Sequence, residues 1–207
     1  MTTILQINSS LHGEDAQSSR LAREFVQAFQ ATNGKGTHPA PDTRVLVRDL
    51  AREPVPHLTE ERYKAFTTPA TERTPGQQQA VAESDRLITE LGAADVVVIG
   101  LPMYNFGVPS TLKAYFDHIA RAGVTFRYTA EGPEGLLKGK KAYVFATRGG
   151  RHAGTPSDLQ TAYVRQFLGF VGIRDVVFVY AEGMALGAAQ RDAAVADASA
   201  RIEDLAA

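Results

Sequence analysis

Val96 to Leu101 read Val-Val-Val-Ile-Gly-Leu, an uninterrupted apolar run in which β-branched side chains dominate. Such side chains favour an extended chain. A run with no polar face belongs in a sheet covered on both sides, which is the condition of parallel sheets. Parallel neighbours need long crossovers, normally helices. The remaining sequence supplies both parts. Ile4-Leu5-Gln6-Ile7, Val45-Leu46-Val47 with Leu50, Lys141 to Ala146 and Val176 to Tyr180 read as further strands. Between them, Leu21, Phe25, Ala28 and Phe29 recur at helical spacing, in a helix opened by Gln17, Ser18 or Ser19. A short helix is expected near Thr59–Phe66. Another runs from Thr74-Pro75 to Leu91, with proline in its first turn and Gly92 ending it. A fourth is capped by Ser110 and runs to about Ala120. Leu159–Phe170 and Ala188–Leu205 complete the set. Five strands alternating with helices make a doubly wound α/β fold with helices on both faces. Asn33 to Pro41 is a loop by composition.

Composition removes several kinds of chemistry. The chain of 207 residues has no cysteine, which excludes disulfides, thiolate zinc, iron–sulfur clusters and thiol nucleophiles. Its formal net charge is −1, from 22 Lys+Arg and 23 Asp+Glu. A nucleic-acid partner, which calls for a basic surface, is not expected. The start, Met1-Thr-Thr-Ile-Leu-Gln-Ile, lacks the basic and apolar segments of a signal peptide. No apolar stretch has the length of a membrane span. A cytoplasmic location is the expectation, with no membrane partner. His12, His38, His57, His118 and His152 show no metal-ligand spacing, so no metal is expected. There is no Walker A, no dinucleotide glycine fingerprint and no nucleophile elbow.

In doubly wound sheets ligands sit beyond the carboxyl ends of the strands, which singles out three loops. The first carries Ser9, Ser10, Gln17, Ser18 and Ser19 at a helix start, where free N–H groups and the helix dipole attract anions. The alternative is that these residues only cap the helix, and Glu14 and Asp15 oppose a phosphate unless they point outward. The second, Pro102 to Ser110, places Met103, Tyr104, Asn105 and Phe106 where a hydrophilic turn is expected. These side chains suit a flat ring, unless the loop tucks its aromatics into the core. The third, Thr147-Arg148-Gly149-Gly150-Arg151-His152, has paired glycines that permit close backbone approach, and a histidine able to donate to an electron-rich oxygen. Further on, Phe126 and Tyr128 share a face of an extended segment, either as pocket walls or as core. Phe167 and Phe170 stand at helical spacing and read as core.

Taken together these segments resemble one family. Pro102-Met-Tyr-Asn-Phe106, Ala122-Gly-Val-Thr-Phe126, Gly132-Pro-Glu-Gly-Leu136, Arg148-Gly-Gly150 followed by His152, Phe167-Leu-Gly-Phe-Val-Gly-Ile173 and Ala181-Glu-Gly183 are similar to the FMN-dependent NADH-azoreductases of the flavodoxin-like superfamily. The resemblance covers nearly the whole chain. It implies one flavodoxin-like FMN-binding domain over residues 1–207, with a five-stranded parallel sheet. It implies a homodimer holding one FMN per subunit at the interface. NADH is the implied donor, and quinones or azo compounds are the small aromatic acceptors, reduced by two electrons in a ping-pong cycle. The flavin carries the chemistry, so no catalytic side chain is implied.

By the same resemblance Ser10, Ala16, Gln17 and Ser18 hold the FMN phosphate. Met103, Tyr104, Asn105 and Phe106 embrace the ring, while Thr147, Arg148, Gly149, Gly150 and His152 take its polar edge. Phe126, Tyr128 and Phe170 wall the substrate pocket. Two features depart from the family. Ala16 stands where the family often has serine, which removes one hydroxyl donor, and Asn33 to Asp42 is longer than usual. A related quinone or FMN reductase that never meets an azo dye is the nearest alternative. A pure electron carrier, which would have a strongly acidic surface, fits the charge less well.

Overall fold

A computed structural model describes residues 1–33 and 43–206. The five expected strands are present as β1 (Thr2–Asn8), β2 (Thr43–Asp49), β3 (Val96–Pro102), β6 (Lys141–Thr147) and β7 (Asp175–Ala181). They form one parallel sheet in the order β2-β1-β3-β6-β7. The apolar run Val96–Leu101 lies in the central strand β3, which is buried along its whole length. Alternation then divides the core in two. Leu5, Ile7, Val97, Ile99, Leu101 and Val144 face α3 (Pro75–Ala93), α4 (Ser110–Ile119) and α5 (Leu159–Val171). Ile4, Val96, Val98, Tyr143 and Phe145 face α1 (Gln17–Asn33) and α6 (Ala188–Ala206). Each fully buried large side chain contributes about 1.5–3 kcal/mol.

The helix boundaries follow local chemistry with some differences. Thr59 caps α2 (Glu60–Thr67), and Thr74 with Gln77 forms a capping box at α3. Gly92 does not end α3; the helix continues to Ala93 and stops at Ala94. Ser110 is the first residue of α4 rather than its cap, and Pro109 precedes it without a side-chain bond. From residue 34 onward, the loop expected at Asn33–Pro41 and the extension reaching Asp42 lie outside the described residues, whereas Asn33 itself ends α1. A small antiparallel hairpin of β4 (Phe126–Thr129) and β5 (Gly132–Gly135) has no counterpart in the sequence reading. Its last residue lies directly against the left-handed Gly172 at the end of α5, and a Cβ on Gly135 would overlap that backbone.

β1 lies between β2 and β3, so the chain leaves it in one direction toward β2 and returns on the other side as β3. The loops after β1 and β3 therefore diverge, opening a crevice at the switch point. Gly100 sets its floor. A Cβ there would stand 2.9 Å from the Ser18 carbonyl oxygen and 3.1 Å from the Ser19 nitrogen. Only glycine lets the first turn of α1 rest on β3 this closely. Gly100→Ala is expected to push α1 outward and cost about 1–3 kcal/mol, as overpacking against backbone does. A denaturation midpoint equal to wild type would show that α1 yields freely.

Candidate functional site

The three loops singled out in the sequence meet at this crevice. After β1, Ser9 donates from Oγ to the Gly100 carbonyl at 2.7 Å, which ties the first loop to β3. A short 3-10 turn, Gly13–Asp15, leads into α1. The Ser19 hydroxyl closes this turn by donating to the Gly13 carbonyl at 2.7 Å. Glu14 and Asp15 face outward, paired with Arg52 and Arg20, so their charge is directed away from the helix start. The first helical bond runs from the Arg20 N–H to the Ala16 carbonyl. The N–H groups of Gln17, Ser18 and Ser19 have no partner among the described residues. The Ser18 hydroxyl is fully buried and also unpartnered. A buried hydroxyl without a partner costs about 1–3 kcal/mol, so its retention marks a place built for something else to bind. Donors alone converge here, and the helix dipole adds to them. Ser10 is engaged elsewhere, since its hydroxyl accepts from the His12 N–H and shares a 3.0 Å hydrogen bond with the Tyr104 hydroxyl.

The second loop does not bury its aromatics. Tyr104 and Gly107 bond each other through both backbone pairs, closing a two-residue turn. Asn105 and Phe106 occupy its corner at φ 49° and 65°, both left-handed. Asparagine tolerates this, whereas phenylalanine is strained by it; such backbone strain costs about 1–3 kcal/mol per residue and gathers at functional sites. Phe106 is 57% exposed and meets His152 edge-on at 5.8 Å. The Asn105 side chain has no hydrogen-bond partner among the described residues, so it does not brace the turn.

The third loop presents donors only. The carbonyls of Thr147, Arg148, Gly149 and Gly150 are taken by the N–H groups of Met103, Met184, Ala185 and Gly183. The N–H groups of Gly149 and Gly150 have no partner among the described residues. His152 is held by Ser157 at Nδ1, 2.9 Å, and its backbone N–H donates to Glu182.

Arg148 differs from its sequence reading. Its guanidinium is turned inward and completely buried, bonded to Asp158 at 2.8 Å, Glu182 at 3.0 Å, Thr161 at 2.9 Å and Gln160 at 3.3 Å. It also lies over the Tyr180 ring. The side chain is an internal anchor, and the backbone is engaged as well: its N–H donates to the Ala181 carbonyl and its carbonyl accepts from the Met184 N–H, both at 3.0 Å. Asp158, Gln160, Thr161 and Glu182 escaped the sequence reading. Of these, only Glu182 lies inside a quoted motif, Ala181-Glu-Gly183.

Phe126, Tyr128 and Phe170 lie apart from the three loops. They gather with one another, Phe126 at 4.3 Å from Phe170 and 5.4 Å from Tyr128, but not with Met103–Phe106 of the same chain. The aromatic loop precedes α4, whereas β4 follows it. Ten residues of helix separate the two by about 15 Å. Phe126 is core, Phe170 half-buried, and Tyr128 76% exposed. With Tyr63, Phe66 and Thr67 of α2 and Arg121, Phe126 and Tyr128 line a cavity of about 440 Å³.

The fold that carries these loops is shared with known proteins. The model of a family described as having a flavodoxin-like fold matches residues 2–206. An FMN-dependent NADH:quinone oxidoreductase of Burkholderia lata is 57% identical over 198 residues, covering 96% of each chain. One from Cellvibrio japonicus is 53% identical over 203 residues and 98% of each chain. Among solved structures, an FMN-dependent NADH-azoreductase from Bacillus anthracis, in complex with FMN, superposes with a TM-score of 0.87 at 25% identity, covering all of this chain and 98% of that one.

The buried Arg148 network yields a prediction. Burial alone would raise the Asp158 pKa, but bonds from Arg148 and Thr161 hold it below the ordinary carboxylate value. Arg148→Met leaves two carboxylates facing each other without a cation and is expected to cost about 3–5 kcal/mol. Asp158 has its depressed pKa in the folded state, so its contribution is complete above about pH 4 and fades as pH falls through the folded value. The gap in unfolding free energy between wild type and variant should be widest at neutral and alkaline pH and narrow on acidification, first as the variant's unpaired buried carboxylates take up protons and then as Asp158 of the wild type does. A variant as stable as wild type at neutral pH would contradict the anchoring role.

Proposed function

The chain belongs to the family with the flavodoxin-like fold, and from this and its close relatives we infer that it is an FMN-dependent NADH:quinone oxidoreductase. The same reading extends to azo compounds, on the likeness to the azoreductase structures. The observation that carries the cofactor assignment is the Ser18 hydroxyl, buried and unpartnered beside three free N–H groups at the start of α1. The residues fit FMN: an anion cradle, an exposed aromatic turn and a row of N–H donors meet in one crevice.

In this reading Gln17, Ser18 and the backbone after Ala16 hold the phosphate. The backbone N–H of the next residues replaces the hydroxyl that Ala16 lacks. Ser10 positions Tyr104 instead of touching phosphate. Met103, Tyr104, Asn105 and Phe106 back the ring and keep water from that face. Thr147, Gly149 and Gly150 take its polar edge, with His152 beside them and Arg148 holding the loop from inside. When bound, FMN supplies the two-electron chemistry, accepting a hydride from NADH and passing the electrons to the acceptor. The free N–H groups of Gly149 and Gly150 favour negative charge at the edge they face, without reorganising as it develops. Asn105 offers a donor and an acceptor at the ring.

The finer reading is a cytoplasmic homodimer of single-domain subunits with the active site at the interface. Its support is the set of exposed apolar side chains around the crevice and the hairpin: Phe106, Leu159, Val124 and Tyr128. Patches of this kind mark association surfaces. In this arrangement Phe126, Tyr128 and Phe170 of one subunit complete the acceptor pocket of the other, which a single chain does not allow. A fully active, flavin-loaded monomer in sedimentation would refute it.

Ser18→Ala should separate binding from folding. Flavin-free protein keeps or gains stability, because an unpaired buried hydroxyl is removed, while FMN binding weakens by about 0.5–1.5 kcal/mol, one net hydrogen bond. Fluorescence titration and thermal melts read the two, and unchanged FMN affinity removes Ser18 from the site. Asn105→Ala, saturated with FMN, should show slower bleaching by NADH in stopped flow than wild type. A wild-type rate would discard the role given to its side chain. For the overall reading, NADH must bleach the bound FMN and a quinone must restore its colour. Comparing kcat/KM for a quinone and an azo dye ranks the two acceptors.

A further inference from the structure

Gln160 lies in the first turn of α5, is 1% exposed and was not singled out in the sequence. Its three side-chain bonds all end on the two loops assigned to the flavin ring. Nε2 donates to the Pro102 carbonyl at 2.9 Å and to the Gly107 carbonyl at 3.1 Å. These carbonyls stand on either side of Met103–Phe106. Oε1 accepts from Arg148 Nε at 3.3 Å, and Arg148 is fixed by Asp158 and Glu182. One buried amide therefore grips both ends of the strained turn and fastens them to the third loop.

We propose that Gln160 is a positioning residue for the flavin site, joining the ring-backing turn and the polar-edge loop into one rigid unit. The proposal deepens the FMN reading and rests on it for its role in binding. The mechanical part stands on this chain alone. The turn holds two consecutive left-handed residues, one of them phenylalanine, and relaxes unless neighbouring groups over-determine it. The Gln160 amide supplies two of the bonds that do so: the one to Pro102 is buried, where an unmet carbonyl is costly, and the one to Gly107 is partly buried and joins the Tyr104 N–H on the same carbonyl.

Two variants test this. Gln160→Leu removes every bond. Gln160→Glu keeps an acceptor for Arg148 but loses both donors to the carbonyls, so it frees the turn while leaving the Arg148 anchor in place. It reads the proposal even if the leucine variant folds poorly. Amide hydrogen exchange on flavin-free protein should show the Tyr104 and Gly107 N–H groups exchanging at least tenfold faster in both variants, with β3 and β6 amides unchanged. On FMN-loaded protein, FMN should dissociate about tenfold faster, with a shifted visible spectrum of the bound flavin. A merely structural residue would speed exchange across the sheet as well and leave the spectrum of the folded, loaded fraction as in wild type. That result overturns the proposal, as does unchanged exchange at Tyr104 and Gly107. Failure of wild-type protein to bind FMN refutes the functional reading, and the exchange comparison still decides whether Gln160 clamps the turn.

Discussion

A single buried cation organises the rim of this molecule. The Arg148 guanidinium has been withdrawn from water entirely and surrounded by two carboxylates, a hydroxyl, an amide oxygen and an aromatic face. Desolvation makes such a group intolerant of approximate geometry, because each missing partner would leave charge unmatched in a low dielectric. The backbone around it is consequently pinned from several directions. Glu182 also collects the N–H groups of His152 and Ala153, and Asp158 caps α5. The third loop and the start of α5 are therefore tied to one buried group.

The site obtains positive character from backbone in a chain whose formal net charge is −1. The described crevice gathers no unpaired lysine or arginine side chains around the start of α1. It gathers N–H groups from the first turn of α1 and from Gly149 and Gly150, with the carbonyls of the third loop already occupied. Backbone dipoles cannot be neutralised by a stray counterion pair or swing away on a flexible stem. They suit a ligand whose charge changes during turnover, since the surroundings need not move when it does.

The sheet was legible because burial on both faces demands runs with no polar alternation, and Val96–Leu101 could be little else. The three loops were legible by position, since they follow strands and carry aromatics or paired glycines. Direction was not. Nothing in Arg148-Gly-Gly150 says that the guanidinium points inward, because its partners Asp158 and Glu182 lie 10 and 34 residues away. Gln160 looks like one more polar residue on a helix until its carbonyl partners, 58 and 53 residues distant, are seen. The hairpin was hidden because Gly-Pro-Glu-Gly has no strand propensity, and its pairing is imposed by seating on α5. Phe126, Tyr128 and Phe170 touch one another, a grouping that spacing alone does not reveal because Phe170 lies on α5 and the other two on the hairpin.

The seating of Gly135 on Gly172 has a consequence for how this chain can diverge. Both walls of the contact are main chain, so enlarging either residue finds no neighbouring side chain whose trimming would make room. The pair is closed to stepwise compensation, and the hairpin cannot be slid or tilted by accumulated small changes. The outward positions it carries, Arg127 and Tyr128 above all, have no such restriction. Descendants of this sequence can therefore exchange those side chains while the frame that carries them stays stationary.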